Sequence, residues 1–388
     1  VARDVLVVGA GIVGVSIARE LAHRGVRVTV LDRDSGQPRG STMFAPGFVG
    51  LYNDMPLLTD LAVRSAASYD TVPVGFTRPG GLELATTDAG AAEVARRVEA
   101  ARAAGLGARL VGPSELPEQV AGFVDADRVV AAASFPDDGT ADAPVLMRVL
   151  RERAVGEGVR FLYGHEVTGI DRQTNRVTVV AGTGAVFTAD DLVLAGGVWG
   201  PSLTALTGRD LPLFPVAHPY AYSASDASWR PGPFVRWPEH HVYARVHRGR
   251  LGIGSYDHTP IPIGQDGLAD GAGLAWDETF GPVIDTAQEL MSAQARFAPE
   301  HRINGVFAVT PDNLPFLGPH PDLNGVWIAQ AIWITHAAGA AAMLVDAMAD
   351  AAQSPPELAI DRFDGDDPNE LRTRALRLYR DIYANDSA

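Results

Sequence analysis

Apolar and polar positions follow two periods along this chain, and the first 32 residues show both. Val5-Leu6-Val7-Val8 is a continuous apolar run, the pattern of a parallel strand covered on both faces. Residues 12–22 then repeat with the helical period until Gly25 stops them, and residues 26–31 form a second strand-like run that ends at Asp32. Further helices are predicted over residues 57–69, 91–104, 144–155 and 337–348, with Asp142 placed to cap the third of these. Strands are predicted over 80–85, 159–163, 167–170, 191–195 and 326–329, and 176–180 with 186–188 reads as a hairpin.

From 211 to 300 proline, histidine and aromatic residues rise, helical periodicity falls and strand alternation takes over. The expected fold class is therefore α/β (α+β): a Rossmann-like nucleotide-binding domain interrupted by a mainly antiparallel sheet that serves as a substrate domain. The boundaries expected are 1–75, 140–210 and 301–388 for the first, and 76–139 and 211–300 for the second.

Between the first two strands stands Gly9-Ala10-Gly11-Ile12-Val13-Gly14. Each part of this turn has a task around a dinucleotide. Gly9 makes the tight turn, Gly11 lets the backbone approach a pyrophosphate, and Gly14 lets the helix pack closely on the strand. Asp32 is placed to accept hydrogen bonds from a ribose diol, and the helix N-terminus offers unpaired N–H groups to phosphate.

Charge and composition narrow the partners. Thirty-two basic against 47 acidic residues give a net charge of −15, which argues against nucleic acid or an anionic membrane surface. There is no cysteine, so disulfides, thiolate metal sites and a cysteinyl bond to a cofactor are excluded, in keeping with a cytoplasmic protein. The apolar start is broken by Arg3, Asp4 and glycines and does not read as a signal peptide, and residues 337–348 are too few to cross a bilayer.

In the inserted region two strands carry polar groups on one face. His218, Tyr220 and Tyr222 alternate within 216–222, and His241, Tyr243, Arg245 and His247 alternate within 241–247. A two-residue turn at Arg248-Gly249 would pair Arg245 with Gly252 and Tyr243 with Gly254, and the glycines would leave empty volume on the polar face for a ligand. The competing reading is a solvated face whose aromatics cover the core. A metal site is not expected, because adjacent His240 and His241 would point to opposite faces of a strand, and no G-x-S-x-G elbow supports a serine triad.

Several segments together resemble the D-amino-acid oxidase superfamily: Gly9 to Asp32, Gly40-Ser41-Thr42-Met43-Phe44-Ala45-Pro46-Gly47, Ala195-Gly196-Gly197-Val198-Trp199-Gly200 and Thr310-Pro311-Asp312-Asn313 through Gly318. Pro215-Val216-Ala217-His218, Gly252 to Tyr256 and Ala331 to Gly339 are most similar to the branch holding the oxidase domain of dimethylglycine oxidase and the dimethylglycine and sarcosine dehydrogenases. The resemblance implies FAD as cofactor and oxidation of an N-methylated secondary or tertiary amine or amino acid at a C–N bond. It carries the catalytic pair to His218 and Tyr243, and cofactor contacts to Gly9, Gly11, Gly14, Asp32, Arg33, Gly40, Ser41, Thr42, Phe44, Ala45, Val167, Ala195, Gly196, Trp199, Ile334, Thr335 and His336. Tyr220, Arg245, Tyr256 and Trp333 are the expected substrate contacts, with Arg245 a carboxylate clamp or a structural ion pair. His218 is expected to take the amine proton directly or through water while Tyr243 fixes the amine.

Two departures from the branch matter. Phe44 stands where these enzymes usually carry a histidine bonded to the flavin, so non-covalent FAD is expected. The longer relatives continue into a folate-binding domain near where this sequence reaches Ala388, so transfer of the one-carbon unit would need another protein. Oxygen or an electron carrier would be the acceptor. The rival readings are an FAD-carrying member of a heteromeric complex with a partner subunit, a tailoring oxidase acting on a larger amine, and, more weakly, an NAD-dependent dehydrogenase.

Overall fold

The computed structural model describes residues 3–173 and 176–382. Asp4–Val8 lies inside a six-stranded sheet ordered Phe316–Pro319, Val326–Gln330, Asp191–Leu194, Asp4–Val8, Arg27–Leu31, Arg160–Leu162. All neighbours are parallel except the antiparallel edge strand Phe316–Pro319. Alternation distributes the two faces. Val5, Val7 and Val193 point into a core shared with the helices Ile12–His23 and Ala337–Met348. Leu6, Val8, Leu192 and Leu194 point the other way, toward a three-stranded antiparallel sheet built from Val167–Gln173, Arg176–Ala181 and Val186–Ala189. Each such fully buried aliphatic side chain contributes roughly 1.5–3 kcal/mol relative to exposure. The helices themselves approach closely: a Cβ on Gly339 would lie 2.3 Å from the Leu61 carbonyl oxygen of the helix Pro56–Tyr69.

Leu31, Val8 and Leu194 are in register at the C-terminal ends of three adjacent parallel strands. Asp32, Gly9 and Ala195 follow them directly, which is where open α/β sheets place ligands.

The second sheet has nine strands and is antiparallel apart from the pairing of Phe234–Trp237 with Gly81–Ala85. Next to its edge strand His301–Val309, Phe214–Tyr222 pairs with that strand on one side and with Arg250–Ser255 on the other. The sequence pattern returns the chain to the nucleotide-binding part at residue 301. The structure departs from that boundary, because Phe214↔Val309 through Tyr222↔His301 is one unbroken register, so the last strand of the large sheet runs to Val309.

A helix outside those predicted, Pro368–Arg380, packs on this sheet through Ala375 and Tyr379. Asp367 caps it, its carboxylate accepting from Asn369 N at 2.9 Å and Glu370 N at 3.0 Å.

His241 does not join a strand. Pro238 opens a short turn, His241 takes φ +54°, and the strand begins at Val242. His240 Nε2 instead lies 2.7 Å from Thr86 Oγ1.

Candidate active site

A cavity of about 1590 Å³ runs from the glycine turn to the polar face of the large sheet. It exceeds the roughly 300–1,000 Å³ usual for a single small-molecule site, so it has room for a dinucleotide and a substrate together.

At the nucleotide end the three glycines do different work. Gly9 has φ +107°, and a Cβ there would meet Ala195 O at 2.3 Å. A Cβ on Gly14 would fall 1.9 Å from Gly9 O, so Gly14 sets the helix against the turn and does not line the cavity. Gly11 lines the cavity, and only Thr42 Oγ1, at 3.5 Å, stands near its missing Cβ. Thr42 Oγ1 accepts from Ile12 N at 3.2 Å, which fixes the Gly40 to Ala45 segment over the helix N-terminus. Ser41 Oγ donates to Val306 O at 2.9 Å and anchors the same segment to the large sheet.

Asp32 accepts from Ala10 N at 2.6 Å and Asp34 N at 2.8 Å. Burial raises its pKa above the ordinary carboxylate value, against the lowering effect of these two bonds. Arg33 lies 4.0 Å over the Trp199 ring, whose Nε1 donates to Leu268 O at 3.1 Å. Val167 lines the wall nearby.

The middle of the cavity is walled by Ala195, Gly196 and Trp199 on one strand end and by Trp333, Ile334, Thr335 and His336 before the apolar helix. Thr335 Oγ1 donates to Phe48 O at 3.0 Å and Tyr69 Oη to Ile334 O at 2.8 Å, so the second of these segments is held by side chains at two points. Burial pushes the His336 imidazole down to about 4. Phe44 lines the cavity while its ring tip abuts Gly273, where a Cβ would lie 2.3 Å away.

On the sheet side His218, Tyr220, Tyr243 and Tyr256 reach the cavity. His218 Nε2 is 2.6 Å from Tyr243 Oη, and the two rings stack at 17°. Its Nδ1 is 2.6 Å from Tyr379 Oη, on the C-terminal helix. His218 is 2% exposed, and desolvation, followed by repulsion from His258, holds it well below the ordinary histidine value. At neutral pH the ring is neutral and its two nitrogens are occupied by phenols.

The register expected from the Arg248-Gly249 turn is present: Tyr243 faces Gly254 and Arg245 faces Gly252. The empty volume expected over those glycines is not. A Cβ on Gly252 would meet Tyr220 at 2.6 Å and His247 at 2.8 Å, and one on Gly254 would meet Tyr220 and Tyr243 at 2.7 Å. Neighbouring aromatic rings fill the space, because Phe214–Tyr222 flanks the same glycines from the other side.

Arg245 does not line the cavity. It is buried against Phe48 and donates to Ala141 O at 2.9 Å, and no carboxylate among the described residues pairs with it. Two register positions separate it from Tyr243, and the Gly47-Phe48 turn lies between. Neither expected role, carboxylate clamp or ion pair, matches this placement.

Arg236 is not among the residues expected from sequence. It is the cross-strand neighbour of Tyr243, on the same face, and lines the cavity with Nη1 3.8 Å from Glu83. Its signal is the alternation in Phe234-Val235-Arg236-Trp237, hidden by the prolines around it. Beyond it Asp138 is buried, and its pKa rises to about 7 through burial, although Arg236 opposes this.

The sequence model of the FAD dependent oxidoreductase family matches residues 4–347.

The chain belongs to that family.

It is 27% identical over 364 residues to mitochondrial dimethylglycine dehydrogenase of Rattus norvegicus, an alignment covering 88% of this chain and 42% of that protein. The chain thus spans about two fifths of the length of these curated relatives. It is 26% identical over 343 residues to glycine oxidase of Geobacillus kaustophilus (strain HTA426), covering 84% of this chain and 86% of that one. Among solved structures, L-proline dehydrogenase from P. horikoshii superposes with a TM-score of 0.83 at 24% identity, covering 94% and 98% of the two chains. Glycine oxidase from Geobacillus kaustophilus gives 0.79 at 23%, covering 94% and 100%. These establish the fold: a Rossmann-type α/β unit joined to a large, mainly antiparallel sheet. The cofactor of the family is FAD, and the glycine turn, Asp32 and the open position at Gly11 fit its nucleotide half. Among the described residues, no helix is long and apolar enough to cross a membrane.

Proposed function

We propose that this oxidoreductase acts on a secondary or tertiary N-methylated amine or amino acid, breaking a C–H bond beside nitrogen, with FAD held non-covalently. The observation that carries the proposal is the 2.6 Å His218–Tyr243 contact on the wall of the cavity that begins at the dinucleotide turn. Bound FAD supplies the hydride acceptor. An ammonium has no lone pair to assist loss of hydride, so the chain must first remove a proton. Tyr243 and His218 both line the cavity, but both ring nitrogens of His218 are taken by phenols, so the proton passes to the Tyr243 phenol and not directly to imidazole. The neutral amine then loses hydride from its methyl or α carbon, and water hydrolyses the resulting iminium to a smaller amine and an aldehyde.

Tyr220, Tyr256 and Trp333 enclose the amine in aromatic walls, and Arg236, beside Tyr243, is the cation best placed for an acidic group. Phe44 offers no nucleophile for a flavin bond. The names of several relatives lie in the same direction: dimethylglycine and sarcosine dehydrogenases, and 4-methylaminobutanoate oxidase (formaldehyde-forming) of Paenarthrobacter nicotinovorans. The test is loss of the oxidised flavin absorbance without oxygen, across a panel of N-methyl amines and amino acids. At least one N-methyl compound should bleach the protein faster than its primary-amine counterpart; a panel that leaves the flavin oxidised while dithionite reduces it would refute the proposal.

A further inference from the structure

The contacts of His218 extend away from the cavity. Tyr379 Oη, 2.6 Å from His218 Nδ1, is also 2.9 Å from His258 Nε2 and 3.1 Å from the Ala217 carbonyl oxygen. His258 Nδ1 is 3.0 Å from the Thr259 carbonyl oxygen. Tyr243, His218, Tyr379 and His258 therefore form one continuous hydrogen-bonded row, anchored at its far end on backbone.

That anchor sets the direction of every proton in the row. A carbonyl only accepts, so His258 carries its proton on Nδ1 and leaves Nε2 as an acceptor. Tyr379 has one proton, and both other partners, His258 Nε2 and Ala217 O, need a donor. Giving it to His218 Nδ1 would leave both without one. His218 Nδ1 must then be protonated and donate to Tyr379, which leaves Nε2 bare to accept from the Tyr243 hydroxyl. The lone pairs of Tyr243 are thereby turned toward the cavity.

We propose that Tyr379 and His258 are positioning residues that make the row a one-way proton path out of the active site; this rests on the amine chemistry proposed above. The substrate ammonium gives a proton to Tyr243 Oη as Tyr243 passes its own to His218 Nε2. His218 Nδ1–H passes to Tyr379, and the Tyr379 proton passes to His258 Nε2. One proton has moved, the three intermediate groups are neutral again, and the positive charge rests on His258. Burial lowers the pKa of both imidazoles, but His258 less far than His218, so His258 is the better of the two at holding it. It is 9% exposed against 2% for His218 and faces Asp257 and Asp277, whose charges favour its protonated form, while Arg380 opposes it and Phe280 packs on the ring. Charge left on His218 would sit between buried phenols with no carboxylate beside it among the described residues.

The row also explains why the last helix belongs to the site. Its capped first turn and the spacing Leu371, Ala375, Tyr379 deliver one hydroxyl to the back of His218.

Selective ¹⁵N-histidine labelling tests the proton arrangement directly. At neutral pH His218 and His258 should both resonate as the Nδ1–H tautomer, assigned by loss of each signal in His218→Gln and His258→Gln. An Nε2–H tautomer at His218 would overturn the proposal. Tyr379→Phe keeps the packing and removes only the oxygen. Bound FAD and KM should stay near wild type, while the anaerobic reduction rate falls on the order of tenfold to a hundredfold. The ascending, acid-side limb of its pH profile should move to higher pH, because the amine must then lose its proton to solvent. An unchanged rate and profile in Tyr379→Phe would equally overturn it. The tautomers are read without any substrate, so failure of the amine panel and failure of the proton path are separate results.

Discussion

At the scale of single residues, the glycine turn is fully readable from sequence because its tasks are steric. Gly9 and Gly14 lack a side chain because backbone oxygens occupy the place of one, at 2.3 and 1.9 Å, whereas Gly11 faces the cavity. Gly14→Ala should destabilise the fold by at least about 1–3 kcal/mol, while Gly11→Ala should melt normally as apoprotein and bind FAD about tenfold or more weakly, some 1.4 kcal/mol. Titrating FAD into the apoprotein and following flavin fluorescence measures that binding, and acid precipitation measures the attachment: colour kept in the wild-type pellet would contradict a non-covalent cofactor at Phe44. Arg245 shows where single-residue reading ends. Strand alternation places it correctly on the same face as Tyr243, but a face is longer than the cavity it borders, and which part of it is covered by Gly47 and Phe48 is set by contacts distant in sequence.

At the scale of elements, the parallel strands and their helices are legible because burial on both faces gives unbroken apolar runs. The expected helix over 337–348 is present as Ala337–Met348. The strand His301–Val309 is hard to foresee, since its first two residues, His301 and Arg302, are exposed and Asn304 and Gly305 interrupt its apolar pattern. The helix Pro368–Arg380 carries clearer local signals: Asp367 before Pro368, Glu370 three positions after the cap, and apolar residues four apart. Those signals give a helix but no partner for it, so they do not reveal that Tyr379 fixes His218 from behind. The imidazole–phenol pair is legible residue by residue; the order of the two groups relative to the cavity is not, because it depends on which nitrogen each phenol occupies.

At the scale of the molecule, burial of histidines makes stability depend on pH. Desolvation lowers the pKa of His218, His241, His247, His258, His320 and His336 below the ordinary value of 6.5, the last to about 4. As pH falls through about 6.5 the unfolded chain takes up protons on these rings and the folded chain does not. Their contribution is complete above that pH and is lost progressively toward 4. The deeply buried rings dominate it, with a combined effect on the order of several kcal/mol, since each tenfold loss of proton affinity on folding is worth about 1.4 kcal/mol. Urea midpoints of the apoprotein should be level above neutrality and decline steadily below pH 6.5; a level midpoint down to pH 5 would contradict the buried neutral state of these rings.

The proposed chemistry depends on Tyr243 and His218 acting together on the amine. The anaerobic rate of flavin reduction by the best amine of the panel, compared between wild type, Tyr243→Phe and His218→Gln, tests this directly. Both variants should retain bound FAD and lose on the order of a hundredfold in rate, and the double variant should be little slower than either single one, since the two groups act as one. Reduction at the wild-type rate in either single variant, with FAD fully bound, would contradict it.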